Sequence, residues 1–268
     1  MFNLQRRRWL SGMAAMLLSA GAGAQTKKPP RFDVAAALNR AARQPMLAER
    51  ITRSFSLVGQ RVLETRARRQ QEDALREFES ALRDLQALAP TAEIKENYQL
   101  LEQLFDEFRG ITARPVNLQN ATLLAEQNEE LVWISTKGAT LFQAFAGSAR
   151  SELIVTAGEA RTLTQRIAKL YLFRSWGIRS DVIANDLAKA DADYRAAVTK
   201  LLAAPQNSAQ IRSELALAET QYLFLKQAIN RLNANTTSKL ELEHVAKACD
   251  NILEVMERVT ALYQAIPG

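Results

Sequence analysis

Arginine is the residue type whose spacing in this chain suggests ligand chemistry. Arg161 lies three residues after Gly158 and five residues before Arg166, within one helical pattern. A guanidinium presents a rigid fork of donors that matches a carboxylate or a planar oxyanion, and burial strengthens that pairing. Arg161 falls beside the apolar seam of its helix, where a charge without a partner is costly. We therefore expect Arg161 to bind either an anion or a carboxylate.

The sequence contains no constellation typical of an enzyme. With one histidine, His244, and one cysteine, Cys249, a multi-histidine metal site and an intrachain disulfide are excluded. There is no phosphate-binding glycine loop and no haem attachment motif. We expect a protein that is not an enzyme and has no cofactor, with Cys249 in the core and His244 at the surface.

Two segments of the chain are nearly the same. Residues 41–53 and 157–169 align without a gap at an offset of 116 (157 minus 41). The matched pairs are Leu47 with Leu163, Arg50 with Arg166, Ile51 with Ile167, Arg53 with Lys169 and Phe55 with Tyr171. Self-similarity of this kind indicates two copies of one supersecondary unit. The copies differ where Pro45 of the first stands opposite Arg161 of the second.

The first residues are typical of an export signal. Three arginines at positions 6–8 precede a short apolar run, and Ala-Gly-Ala at 22–24 has the form of a cleavage site. The apolar run is too short to span a bilayer core of about 30 Å. We expect residues 1–24 to be a cleaved signal peptide and residues 25–32 a flexible lead-in. Twin-arginine export and the ordinary secretory route both fit this pattern.

Much of the net positive charge belongs to that signal. The formal charge is +6, and removal of the three arginines leaves +3 (6 minus 3). A nearly neutral body argues against a nucleic acid as partner. No later apolar stretch reaches transmembrane length. We expect a soluble periplasmic protein with no transmembrane helix and no cytoplasmic output domain.

Apolar residues step by three and four along the chain, which predicts long amphipathic helices. Turns are expected near residues 66–69, 89–91, 110–115, 177–181, 204–207 and 233–238. The closing helices also match, at an offset of 121: Val132 with Leu253, Leu141 with Leu262, Phe142 with Tyr263 and Phe145 with Ile266. We predict an all-α fold of two tandem up-down four-helix bundles, residues 33–147 and 148–268, forming an elongated helical rod.

The repeated segments also carry a family pattern. The first copy has Asn39, Ala41, Arg43, Gln44, Met46, Leu47, Arg50 and Ile51; the second has Ala157, Gly158, Arg161, Leu163, Gln165, Arg166, Ile167, Ala168, Lys169 and Tyr171. With these residues the segment resembles the signature helix of the type IV pilus methyl-accepting chemotaxis transducer N-terminal domain (PilJ-type). Nitrate/nitrite sensor kinases share that sensory domain. Outside the signature the resemblance is one of helical patterning.

The resemblance implies a ligand-sensing helix in a periplasmic four-helix bundle. In the nitrate sensors an A-G-x-x-R-M portion holds an anion between equivalent arginines of two chains. Ala157, Gly158 and Arg161 carry that portion here, with Thr162 in place of methionine. The resemblance therefore implies a sensory protein that binds a small anion, nitrate or nitrite, at Arg161.

The first copy has no arginine at the position that matches Arg161. The sequence therefore leaves open which other residues would complete the anion site. Gly158 and Arg166 are further candidate ligand-binding residues on the second copy, and Arg43 and Arg50 are candidates on the first. The site would be completed either by Arg43 or by a homodimer that brings two Arg161 side chains together.

Each of these assignments has a structural alternative. Arg161 can pair with a carboxylate of its own or a neighbouring helix, and Arg166 can fix the bundle register through hydrogen bonds, as can Arg50. Arg43 and Arg50 lie seven residues apart on one helix face. The alternative for this face is an ordinary solvated surface without a ligand. Pro45 marks either the start of the first helix or a site that has lost its ligand.

The alternative function is a periplasmic interaction or accessory module without a small-molecule ligand. Its partner would be a membrane sensor, a pilus component or a reductase. An internal carboxylate pair at Arg161, together with a large apolar surface patch, would favour that alternative.

Overall fold

The structure, a computed structural model, describes residues 33–178, 182–230 and 238–267. The chain from Asp33 onward forms one compact unit. Its described residues are helical almost throughout and include no strand, so the all-α prediction is confirmed. None of the described helices has an apolar stretch long enough to cross a membrane. The predicted signal peptide and lead-in, residues 1–32, lie outside the described residues.

Eight helices follow one another in the described part of the chain. They are α1 Val34–Gly59, α2 Glu64–Leu88, α3 Ala92–Thr112, α4 Leu118–Ala146, α5 Ala149–Trp176, α6 Ile183–Leu202, α7 Ala209–Asn230 and α8 Lys239–Gln264. Six of these helices are preceded by a residue whose side-chain oxygen accepts a hydrogen bond from a first-turn amide. These N-cap residues are Asp33, Thr91, Asn117, Ser148, Ser208 and Ser238. Gly147 and Gly177 end α4 and α5 in the left-handed region.

One predicted turn is misplaced. Residues 66–69 lie inside α2, and the chain turns at residues 60–63 instead. Arg61 and Leu63 adopt left-handed conformations there, with φ of 55° and 48°. The turns expected near 89–91 and 204–207 fall between helices, whereas the turn expected at 110–115 begins inside the last turn of α3. Most of the turn expected at 233–238 lies outside the described residues.

Pro45 lies in the interior of α1, so the expectation that a helix starts there is wrong. Proline supplies no backbone donor to the preceding turn, which costs about 3 kcal/mol or more in a helix interior. The helix continues because α1 is enclosed by α2, α4 and α5, and its residues are buried on nearly every side. Tertiary packing outweighs the local preference of proline here.

Contacts between helices repeat from the first half of the chain to the second. In the first half α1 packs against α2 and α4, and α3 packs against α4. In the second half α5 packs against α6 and α8, and α7 packs against α8. The most extensive contact joins α1 to α5, the two helices that carry the repeated segments.

The helices α1 and α5 run parallel and in register. A Cβ added to Gly158 would lie 2.6 Å from the Cβ of Ala42, its counterpart at an offset of 116 (158 minus 42). Near the other end, the Gln60 side chain donates a hydrogen bond to the Leu172 carbonyl at 3.0 Å, and Gly59 meets the Trp176 ring. Equivalent residues therefore face each other across an approximate twofold axis. The halves lie side by side along α1 and α5 rather than end to end through α4 and α5.

Candidate functional site

The side chain of Arg161 is completely buried and bound to a carboxylate. Its Nη1 donates to Glu257 Oε2 at 3.1 Å and its Nη2 donates to Asn39 Oδ1 at 3.0 Å. Arg43 shares the Glu257 carboxylate and also pairs with Glu77. Burial lowers the pKa of Arg161, while the charge of Glu257 opposes that shift. We call these five residues the Arg161 cluster; within it, Arg161 occupies the structural role that the sequence left as an alternative.

The surface beside Gly158 is occupied by α1. A Cβ there would lie 2.6 Å from the Cβ and 3.0 Å from the carbonyl oxygen of Ala42. Gly158 thus allows the two helices to approach closely, which a larger residue would prevent. The structure gives Gly158 a packing contact with Ala42, and its role in ligand binding stays a prediction.

Arg166 and Lys169 of α5 belong to a balanced charge network. Arg166 pairs with Glu49 Oε1 at 2.9 Å and with Glu129 Oε2 at 2.7 Å. Lys169 Nζ lies 2.7 Å from Glu49 Oε2 and 3.0 Å from Glu129 Oε1, and it also donates to Asn128 at 2.6 Å. Two cations meet two carboxylates, and Glu49 and Lys169 are fully buried. The network ties α5 to α1 and α4, which supports the register role of Arg166.

Burial and charge act in opposite directions on the titration of this network. Burial alone would raise the pKa of Glu129, but the charges of Lys169 and Arg166 outweigh it and lower that pKa to about 2. Burial likewise favours a lower pKa for Arg166, whereas Glu49 and Glu129 raise it. Both groups are therefore held in their charged forms.

The equivalent arginines of α1 have fewer acceptors. Arg53 is fully buried, and its Nη2 donates to Asp250 Oδ1 at 2.8 Å and to Gln70 Oε1 at 2.9 Å. Asp250 is shared with Arg66, whose Nη2 lies 2.8 Å from Oδ2. The Nε and Nη1 atoms of Arg53 and the Nε of Arg50 are buried without a hydrogen-bond partner. Burial lowers the pKa of Arg50, and the nearby charge of Arg53 lowers it further.

Gln165 stands on α5 where Glu49 stands on α1, since 165 minus 49 is again 116. Its side chain is fully buried, and neither its Oε1 nor its Nε2 has a hydrogen-bond partner. Glu49 reaches Arg166 and Lys169 across the helix pair, so the twofold relation directs Gln165 toward Arg50 and Arg53 of α1. Sequence reasoning did not single out Gln165 or Arg53 as site residues. The signal was the exchange of glutamate for glutamine between two otherwise similar segments.

No family model, curated protein or solved structure matches this chain. The PilJ-type resemblance of the repeated segments therefore stays a prediction.

A cavity of about 350 Å³ lies between α4 and α5 and is also lined by Pro45 of α1. Its walls include Pro45, Thr136 and Val155. These are the counterparts, at offsets of 116 and 121, of the residues that form the core of the Arg161 cluster in the other half. At these positions Pro45, Thr136 and Val155 stand where the Arg161 cluster has an arginine, a carboxylate and an amide, and a cavity lies beside them. Arg166 and Lys200 contribute charge to the lining of this cavity.

Several large apolar side chains are exposed on α4, on α7 and at the start of α8. They are Leu118, Leu123, Trp133, Phe145, Leu217, Leu223, Phe224 and Leu240. Trp133 is 65% exposed and Phe145 is 47% exposed. The positions predicted for Cys249 and His244 are confirmed, since Cys249 is buried and His244 is exposed.

Proposed function

We propose that this chain is an exported sensory or ligand-binding protein built from two PilJ-type four-helix repeats. It binds a small anion where α1 and α5 pair, and nitrate and nitrite are the leading candidates. The observation that carries the proposal is the set of buried side-chain atoms without hydrogen-bond partners at Arg50, Arg53 and Gln165. Isolated buried charge is costly, so an anion that neutralises it stabilises the folded protein.

The proposed site differs from the one expected at Arg161. Glu257 and Asn39 already satisfy two nitrogens of that guanidinium, so an added anion would have to compete with an internal carboxylate. Arg50 has no hydrogen bond or ion pair with any described residue, and its side chain is only partly buried. In this proposal both repeats come from one chain, so the site is complete without a homodimer.

Isothermal titration of residues 25–268 with nitrate, nitrite, chlorate and sulfate tests this function. The informative variant is Arg50→Met, because it removes an arginine that makes no hydrogen bond or ion pair with the described residues, and it should leave the fold intact. We expect saturable binding of the singly charged planar anions by the wild-type protein and its loss in Arg50→Met. Arg258→Met, which removes an exposed arginine, is the control and should bind as the wild type does. Absence of heat with every anion would contradict the proposal.

A second function is favoured by the internal pairing of Arg161 with Glu257. In this alternative the chain is a periplasmic interaction or accessory module for a membrane sensor, a pilus component or a reductase. Leu217 and Phe224 are seven residues apart on α7, so they share a face, and both are exposed. In this alternative the double variant Leu217→Ser, Phe224→Ser would abolish binding of the partner protein and leave anion binding unchanged. The anion proposal predicts that the double variant keeps the function of the wild-type protein.

A further inference from the structure

Four positions correspond between the charge networks on the two sides of the α1 and α5 pair, and the corresponding residues differ in charge at one of them. The equivalences, at offsets of 116 and 121, are Arg50 with Arg166, Arg53 with Lys169, Asp250 with Glu129 and Gln165 with Glu49. In each network the acid from the last helix of one half neutralises basic residues on the first helix of the other half. The exception is the acid on the paired helices themselves: Glu49 is present, and its counterpart is the neutral Gln165.

This one difference leaves a deficit of negative charge. Glu49 places Oε1 against Arg166 and Oε2 against Lys169, so one carboxylate bridges both cations. On the other side Asp250 is the carboxylate in contact with Arg53, and it is also shared with Arg66. Two nitrogens of Arg53 and one of Arg50 remain buried without acceptors. A buried polar atom of this kind normally has a partner.

Resting on the proposed function, we infer that a small, planar, singly charged anion takes the place of the carboxylate that Gln165 lacks. The anion would bridge Arg50 and Arg53 as Glu49 bridges their counterparts, and the Gln165 amide would donate to it. Nitrite and formate have the shape and charge of a carboxylate. Sulfate has neither, because it is tetrahedral and doubly charged.

The burial of the surrounding residues defines the route to this site. Gln165 and Arg53 are fully buried, whereas Arg50 is partly exposed. An anion would therefore enter along the Arg50 side chain and lose its water beside Arg53. Because Arg53 and Gln165 are fully buried, charge-assisted hydrogen bonds to them are stronger than those at the surface.

Gln165→Glu tests the inference, since it supplies the missing carboxylate from the protein itself. The thermal unfolding midpoint would be measured with increasing nitrite or formate at constant ionic strength, and with sulfate as control. The wild-type midpoint should rise with nitrite and formate, because a ligand that binds the folded state alone stabilises it. Gln165→Glu should have a higher midpoint without anion, and its affinity for nitrite should be weaker by more than about tenfold.

Glu49→Gln is the matched variant, because it removes the equivalent carboxylate from the other side of the pair. It should unfold at a lower midpoint without anion and recover part of the loss in nitrite. If the variant folds, its stoichiometry by titration should rise from about one to about two anions per chain. If it does not fold, Gln165→Glu remains the deciding variant.

The outcomes separate this site from the proposed function. If the wild type binds nitrite and Gln165→Glu binds it equally well, the function stands and this site is overturned. If the wild type binds none of the three anions, the function and the site are both overturned. If sulfate stabilises the wild type as strongly as nitrite does, the inferred anion class is overturned.

Discussion

At the scale of single residues, the fully buried charges of Arg161, Lys169 and Arg53 are met by carboxylates on other helices, whereas Arg50 makes no hydrogen bond or ion pair with the described residues. Arg161 is met by Glu257 and Lys169 by Glu49. A pair of this kind contributes little net stability compared with apolar packing, but removal of one partner leaves a charge stranded in the interior. The positions of the partners along the helices therefore fix the register of the bundle, and an unmatched arginine indicates where a ligand can act.

Substitution of Gly158 tests how closely α1 and α5 approach each other. An alanine there would place its Cβ 2.6 Å from that of Ala42, so one of the helices would have to move. We expect Gly158→Ala to lower the free energy of unfolding by about 1–3 kcal/mol, measured by urea denaturation. Gly110→Ala is the control, because nothing lies within 4 Å of the added Cβ. It should be neutral or stabilising by up to about 1 kcal/mol.

Arg161→Met tests the structural role of that arginine. Removing it strands part of the Glu257 charge, although Arg43 still pairs with that carboxylate. We expect a loss of about 3 kcal/mol in the free energy of unfolding, at the lower end for a broken buried pair. Arg258→Met, which breaks an exposed pair with Glu214, should cost less than about 1 kcal/mol. Equal losses in the two variants would contradict the assignment of Arg161 to the interior.

Among helices, the pair α1 and α5 determines how the other six are arranged. Each member of the pair is flanked by the second and fourth helices of its own half. The fourth helix of each half also sends an acid to the first helix of the other half, as Glu129 does to Lys169 and Asp250 to Arg53. These cross-connections make the electrostatic stability of the two halves interdependent.

Because Glu129 and Asp250 form these cross-connections, we expect the protein to lose stability at low pH. Both Glu129 and Asp250 have a lowered pKa because the nearby cations outweigh burial, and for Glu129 the value is about 2. A lowered pKa adds stability that is present above the ordinary pKa of about 4.5 and is lost as pH falls toward 2. Urea denaturation between pH 7 and pH 3 should therefore show a falling free energy of unfolding below about pH 5. Glu129→Gln should be less stable at pH 7, and its free energy of unfolding should depend less on pH. Glu130→Gln, which changes the exposed neighbouring residue, should retain the wild-type dependence on pH.

The sequence could predict the helices but not how they pair. Apolar periodicity is a local signal, so it located most turns. The turn at residues 60–63 contains neither glycine nor proline and depends on Arg61 and Leu63 in left-handed conformations. The repeat offset identified Arg50 and Arg166 as equivalent. It could not show that α1 and α5 face each other, because an apolar seam does not specify its partner. For the same reason the sequence could not show that Arg161 pairs with Glu257.

Across the whole molecule, the two halves share one interior. Ala42 and Glu49 face α5, so separating the halves would expose an apolar surface and a buried carboxylate together. Domains that share so much buried surface unfold together rather than one after the other.

The chain from residue 33 to 268 should therefore unfold in one cooperative step. Urea curves followed by circular dichroism and by tryptophan fluorescence should coincide, because Trp133 lies in the first half and Trp176 in the second. A fragment of residues 33–147 should be far less stable than the whole chain or fail to fold. Two separate transitions, or a fragment as stable as the full chain, would contradict the shared interior.

The most direct test of the central claim is a difference map between crystals with and without nitrite. The structure predicts a three-atom feature between Arg50 and Arg53, within hydrogen-bond distance of the Gln165 amide, with the Arg161 cluster unchanged. Nitrite beside Arg161 with Glu257 displaced, or an interior without any added density at saturating nitrite, would contradict it.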